Sequence, residues 1–247
     1  MDNKFIILVT QRDAKPFIRK CLDSIVMQTY KNYFVIIMDD CSTDGTWEII
    51  QEYTGKYDNF QAIRNDPKRT YQCKNFVAAI NAFATKREDV IVFLSGDDWF
   101  YSDDVLEHLN RVYQDDIWMT YGSFIPSSGK FESYCAQITD TRAYRRSRTW
   151  LASHLVTCKK KLWKRIRDED LRYKNGEYPN NSFDCAFLYP MIEMSGLKHM
   201  KFIDKILYVY NDQNPIAEEH FKEDPGACGR ERRYWTRRPQ YKELRKV

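Results

Sequence analysis

The stretch Phe34-Val35-Ile36-Ile37-Met38-Asp39-Asp40-Cys41-Ser42-Thr43-Asp44-Gly45-Thr46 constrains the fold more than any other part of the chain. An apolar run of strand length stops at two adjacent carboxylates, and turn-forming residues follow at once. The same arrangement returns at Val90-Ile91-Val92-Phe93-Leu94-Ser95-Gly96-Asp97-Asp98. A strand that ends in acids places them in the crevice where open α/β sheets bind ligands, outside the carboxyl edge. Two such edges in one sheet point to a site that reads a nucleotide with one acid pair and holds a cation with the other.

The rest of the first half supplies the alternating partners. Phe5–Val9 reads as a strand, and the apolar residues Phe17, Ile18, Cys21, Leu22, Ile25 and Val26 then keep a helical period. Ser42-Thr43-Asp44-Gly45 combines a turn with a helix start, and a short helix runs from Thr46 to Tyr53. Phe60–Ile63 is a third strand, and residues 74–85 form a helix with Phe76, Val77, Ile80 and Phe83 on one face. This alternation predicts βαβ units and a mostly parallel central sheet flanked by helices. The second half changes character. It reads as a helix over 103–113, a strand over 117–121, a turn at Pro126–Gly129, a helix with a basic face over 155–166, a helix over 184–194 and a strand over 203–210. Residues 130–150 show no clear period.

Composition narrows the classes. With 247 residues, 43% hydrophobic and 30% charged, the chain has the make-up of a soluble globular protein. No apolar run nears the ~20 residues that span a bilayer, and the first strand is too short for a signal-peptide core. A cytoplasmic protein is expected. Seven scattered cysteines without a C-x-x-C pair point to reduced thiols rather than disulfides or zinc. Residues 222–247 carry nine Lys/Arg against four Asp/Glu, leaving the rest nearly neutral. The preferred reading of this tail is a solvated terminus; attraction to phosphate, a polyanionic acceptor or a membrane face is the sharper alternative. Nucleic-acid binding finds no reading module.

Together Leu8-Val9-Thr10, Cys21–Ile25, Gln28-Thr29-Tyr30, Asp39–Thr46 and Phe93–Asp98 resemble the family 2 glycosyltransferases. That family has the nucleotide-diphospho-sugar transferase (GT-A, Rossmann-like) fold. The resemblance covers about residues 4–110 strongly and is traceable to about 211. It implies one GT-A domain over 1–221, with a nucleotide-sugar half (1–110) and a half carrying acceptor and base (111–221), followed by the tail. The implied activity is inverting, metal-dependent transfer of a sugar from a nucleotide donor, UDP-linked, to a hydroxyl on a glycan or other acceptor.

The resemblance also assigns residues. Asp40 would accept a hydrogen bond from the base and Thr10 would line the nucleotide pocket. Arg12, where the family often has an aromatic, would stack on the base or pair with phosphate, and Arg69 would approach the diphosphate. Asp97 and Asp98 would hold Mn²⁺ or Mg²⁺, which takes oxygen ligands and keeps several waters. Asp97 would thereby touch the donor too. Ser95 departs from the family's Asp-x-Asp. Asp184 is the matching catalytic base, with Phe183 in place of a preceding Glu, and the reading as a helix cap stands beside it. Read from the residues, Trp99 and Trp150 are candidate acceptor contacts because sugar rings stack on aromatics, and Asp39 and Asp44 are structural. His154 is a candidate contact to acceptor or diphosphate, with a packed, hydrogen-bonded ring as the preferred reading, and His220 is a candidate late metal ligand. Two rival readings remain: a nucleotidyltransferase, weakened by the lack of glycine after the first strand, and an inactive nucleotide- or glycan-binding module.

Overall fold

Seven consecutive residues of the first strand, β1 (Phe5–Gln11), are buried, and the chain achieves this by covering both faces of one sheet. The computed structural model describes residues 2–84, 86–147, 149–180, 182–215 and 226–247. After β1 come α1 (Lys15–Val26), β2 (Tyr33–Asp39), α2 (Thr46–Lys56), β3 (Phe60–Arg64), α3 (Tyr71–Phe83) and β4 (Val90–Ser95). The second half adds β5 (Trp99–Phe100), α4 (Val105–Val112), β6 (Met119–Pro126), α5 (Thr141–Arg146) and β7 (Ser153–Lys159). It continues with α6 (Lys160–Trp163), a 3-10 turn (Asp168–Leu171), α7 (Asp184–Ser195), β8 (Met200–Tyr210) and α8 (Ala227–Thr236).

The eight strands form one sheet in the order β3-β2-β1-β4-β7-β6-β8-β5. The first four are mutually parallel, as the alternation predicts. β7 then runs antiparallel to β4 and β6, β6 and β8 are parallel, and β5 closes the edge antiparallel to β8. Successive side chains of a strand point to opposite faces. Ile6, Leu8, Ile36, Met38, Ile91 and Phe93 therefore meet α3, α6 and α7. Phe5, Ile7, Val9, Val35, Ile37, Val92 and Leu94 meet α1, α2 and α4 on the other side. Each fully buried aliphatic side chain contributes about 1.5–3 kcal/mol.

Three sequence expectations change. The helix expected over 155–166 is instead β7 followed by the single turn of α6, and β7 is buried between two strands. A strand buried on both faces has no polar alternation, so its period cannot be told from a buried helix. Only part of the basic run there faces solvent: Lys164, Arg165 and Arg167 are exposed, but Lys159 and Lys161 are largely covered and pair with Glu88, at 3.3 and 3.0 Å. The featureless 130–150 stretch contains α5, whose cap is Asp140, accepting from the amides of Arg142 and Ala143 at 2.9 Å each.

Residues 226–247 pack onto the body rather than lying in solvent. Trp235 is buried, Tyr241 and Leu244 lie on the α7 layer, and the Leu244 amide donates to Met194 O at 2.9 Å. All seven cysteines are free thiols. No helix among the described residues is long and apolar enough to cross a membrane.

Candidate functional site

The register places the sequence motifs side by side. Thr10 lies opposite both Met38 on β2 and Ser95 on β4, and Gln11 lies opposite Asp39. The carboxyl edges of β1, β2 and β4 thus form one continuous lip. Gly96 permits the closest approach within it: a Cβ there would sit 2.4 Å from Gln11 Cβ. Gly96→Ala is expected to cost about 1–3 kcal/mol through overpacking, read as a lower urea midpoint. An unchanged midpoint would show that Gln11 moves aside freely.

Asp39 is fully buried and structural, as expected. It accepts from Gln11 Nε2 and the Ser42 amide and lies 3.4 Å from Arg64 Nε. Asp44 holds the turn, accepting from the amides of Lys15 (2.9 Å) and Thr46 (3.0 Å).

Asp40 is also buried, but its carboxylate is engaged with the start of α3. It accepts from Thr70 N at 2.7 Å, Asn65 Nδ2 at 2.9 Å, Tyr71 N at 3.1 Å and Arg69 Nε at 3.4 Å. Burial pushes its pKa up, and these hydrogen bonds outweigh burial and bring the net below the ordinary value. Arg69 therefore reaches Asp40 and the face of Tyr71, 4.5 Å from the ring centroid. Arg12 pairs with Asp13 at 2.9 Å. The Thr10 hydroxyl is buried at the lip without a hydrogen-bond partner among the described residues.

The second acid pair divides its labour. Asp98 is 2% exposed and is held by β8 and the residue after it. Tyr208 OH donates to its Oδ2, and the Asn211 amide donates to Oδ1 at 2.6 Å. Asp97 receives Asn214 Nδ2 on Oδ2 at 2.7 Å. Burial raises both pKa values, and for Asp98 the neighbouring Asp97 charge raises it further. Among the described residues neither carboxylate has an ion-pair partner, and no three His, Cys, Asp or Glu side chains converge. A buried and a half-buried carboxylate, without a cationic partner among the described residues, suit Mg²⁺ or Mn²⁺, which binds through one or two carboxylates with water and phosphate. Asp97 is the direct candidate, because both Asp98 oxygens already accept from β8 and Asn211. His220 lies outside the described residues.

Asp184 is the first residue of α7, whose start makes no side-chain capping bond. Its Oδ1 accepts from the adjacent Cys185 amide, at 2.9 Å. It lines a cavity of about 370 Å³ together with Tyr134, Trp150, Ser182, Cys185, Cys228, Gly229 and Arg232. Burial lifts its pKa to about 6, partly countered by the Cys185 amide and the Arg232 charge. A carboxylate at that value is a base near neutral pH.

The other expected acceptor contacts divide. Trp150 shares the cavity, but Trp99 does not: its ring lies under Lys20 of α1, 3.6 Å from Nζ. Pairing of β5 with β8 turns Trp99 away. His154 is stacked on Tyr208 and Tyr210, with centroids 4.5 and 5.6 Å apart, and burial lowers its pKa to about 4. It is a neutral packing group. Through Phe124, 5.8 Å from His154 and 5.3 Å from Tyr134, this stack links the Tyr208–Asp98 contact to the cavity rim. Sequence reasoning missed Asn65, Thr70, Tyr208, Asn211, Asn214, Tyr134 and Arg232. The polar cluster Asn211-Asp212-Gln213-Asn214 after an apolar strand was the one local signal among them.

Comparison with known proteins follows the same outline. The model of glycosyl transferase family 2 matches residues 5–189. The glycosyltransferase GlyA of Streptococcus pneumoniae is 26% identical over 223 residues, which is 85% of this chain and 31% of that protein. The crystal structure of S. aureus TarS 1-349 in complex with UDP-GlcNAc has a TM-score of 0.63 at 17% identity, covering 85% of this chain and 59% of that one. The mannosyltransferase PcManGT from Pyrobaculum calidifontis, in complex with GDP-Man and Mn²⁺, has a TM-score of 0.59 at 15% identity, covering 96% and 70%. The chain thus spans less than two thirds of the length of GlyA and of TarS 1-349. At these identities the structural likeness establishes the GT-A fold.

Proposed function

This chain belongs to glycosyl transferase family 2, and we propose that it moves one sugar from a nucleotide-sugar donor, UDP-linked, to a hydroxyl of a glycan or other acceptor, inverting the anomeric carbon. The observation that carries this reading is Asp184, a carboxylate with a pKa of about 6 in a roomy aromatic cavity at a helix start. Inversion by direct displacement needs a base to take the proton of the attacking hydroxyl as the bond to diphosphate breaks. Asp184 Oδ2 takes that proton, and the face of Trp150 receives the apolar side of the acceptor ring.

Thr10 and Asp40 read the nucleoside at the lip of β1 and β2. Asp40 does so by exchanging its long 3.4 Å bond to Arg69 for a donor on the base, which frees Arg69 to turn toward the diphosphate. Arg12, half-buried at the same edge and paired with Asp13, adds a second cation. Asp97, steadied by Asn214 and backed by Asp98, would hold the divalent cation. When bound, that ion supplies Lewis-acid stabilisation of the leaving diphosphate.

Asp97→Ala is expected to weaken Mn²⁺-dependent UDP binding by about 100-fold, at or beyond the loss seen when groups supporting a metal ligand are removed. Calorimetry with and without Mn²⁺ measures this, and an unchanged affinity would move the cation elsewhere. The function as a whole is tested by assaying transfer and hydrolysis across a panel of nucleotide sugars. Binding without turnover of any donor would leave a nucleotide-binding module, and turnover of a nucleoside triphosphate with a sugar phosphate would make it a nucleotidyltransferase.

A further inference from the structure

The Asp184 cavity contains a cation that the transfer step above leaves unused. Cys228, Gly229 and Arg232 occupy one face of α8, spaced so that all three line the cavity that Asp184 also lines. The Arg232 guanidinium lies over the ring of Trp150, 5.3 Å from its centroid. Its hydrogen bonding among the described residues is a single long contact, Nε to Tyr189 OH at 3.4 Å. Nη2 is buried and donates to nothing described. Nor is any described carboxylate within ion-pair distance, Asp184 included. A guanidinium has five N–H donors in a planar fork, and leaving buried ones unmade costs free energy that an oxyanion recovers with charge-assisted, two-pronged bonds.

The remaining wall explains why water alone is a poor substitute. Tyr134, Trp150, Cys185 and Cys228 present apolar surface, and Ser182 Oγ is spent on Cys228 O at 3.1 Å. Gly229 places no side chain in the space. The cavity therefore combines room for about one sugar-sized group, an aromatic face, a base and a guanidinium whose buried Nη2 has no partner among the described residues.

We propose that this cavity is a subsite for an oxyanion carried by the acceptor, a phosphate ester or a carboxylate, with Arg232 as its recognition residue. The proposal deepens the transferase reading and rests on Asp184 being the base of that reaction. Arg232 would act before the chemistry, fixing the acceptor so that a hydroxyl falls beside Asp184. Seating an anion there also cancels the Arg232 charge that now holds the Asp184 pKa down. The base thus becomes more avid for the proton once the acceptor is in place.

The test is equilibrium binding of glycerol 3-phosphate and of glucuronate, followed by tryptophan fluorescence, with glucose as the neutral control. It is run on the full chain with and without saturating UDP and Mn²⁺, so that a filled diphosphate site cannot account for the signal. Wild type is expected to bind at least one of the anions, and which one identifies the group. Arg232→Gln should bind it about tenfold more weakly or worse, as befits loss of a charge-assisted pair, while Arg232→Lys stays within a few-fold. UDP affinity should be equal in all three proteins, which also shows that the variants fold. Equal anion affinity in wild type and Arg232→Gln overturns the proposal, as does binding of glucose as tight as that of the anions, or no anion binding by wild type. Anion binding that depends on Arg232 in a protein that binds no UDP would uphold the subsite and sink the transferase reading instead.

Discussion

Asp184→Asn is expected to lower sugar transfer by about 10²–10⁴-fold, the range general-base catalysis supplies, while leaving UDP affinity unchanged. The same substitution should make the protein more stable. Folding raises the Asp184 pKa from an ordinary 3.8 to about 6, mainly by burial. Below pH 3.8 both folded and unfolded forms hold the proton and the group is silent. Between 3.8 and 6 the unfolded chain releases it first, so stability falls as pH rises, and above about 6 the whole penalty is present. At one pKa unit per 1.36 kcal/mol, removing the charge at pH 8 should recover up to about 3 kcal/mol. A stabilising helix cap predicts the opposite, since deleting its charge could only lower the melting temperature or leave it unchanged. Thermal melts at pH 8 and at pH 4.5 therefore separate the two roles, the gain shrinking at the lower pH. Transfer by the wild type should fall in acid with an apparent pKa near 6. Full turnover by Asp184→Asn would remove the residue from the reaction.

Arg145→Met should lose about 3–5 kcal/mol, the cost of leaving one member of a buried ion pair alone. Arg145 and Glu193 are 3% and 1% exposed and meet at 2.8 Å between α5 and α7. Arg145 Nη1 also donates to the carbonyls of Arg238 and Pro239, at 3.0 and 2.9 Å, and Glu193 Oε2 accepts from the Tyr241 amide at 2.8 Å. One pair thus fastens the last eleven residues, and through them α8, to the body. A domain is stable by only about 5–15 kcal/mol, so the loss is a large share of the whole. Urea denaturation measures it, and limited proteolysis should cut the variant first after residue 236. The double variant Arg145→Met/Glu193→Leu should recover most of the stability, because no charge is then buried without a partner. If the single variant unfolds at the wild-type midpoint, the pair holds nothing. Because Arg232 stands on α8, weakening of this fastening should also reach the cavity, seen as poorer binding of an anionic acceptor.

How much of this was legible before folding depended on distance along the chain. The strands β1, β2 and β4, the helices between them and the start of α7 announced themselves through local periods and abrupt stops. Asp39, Asp44 and the free thiols were placed by the same kind of local reasoning. β7 was misread because a seven-residue strand buried almost throughout on both faces shows no alternation of exposed and buried positions. Trp99 was misplaced for a related reason: an aromatic beside an acid motif reads as a ligand contact until the partner strand is known, and here β5 pairs with β8. His154 takes the packed role that a lone histidine favours, stacked on Tyr208 and Tyr210.

The amino-acid sequence by itself determined the α/β architecture and the two acidic strand ends, because those depend on the pattern of neighbours within a turn or a pleat. It also marked Asp184 as the base candidate. Only the tertiary structure decided how each acid of the second pair is engaged. Tyr208, 110 residues from Asp98, and Asn211 take up both Asp98 oxygens and leave Asp97 at the lip. It alone, too, brought Arg232 of the basic C-terminal stretch into one cavity with Asp184. Such pairings join segments whose separation the local pattern cannot register, and they are set by how the sheet closes and what then has to be buried.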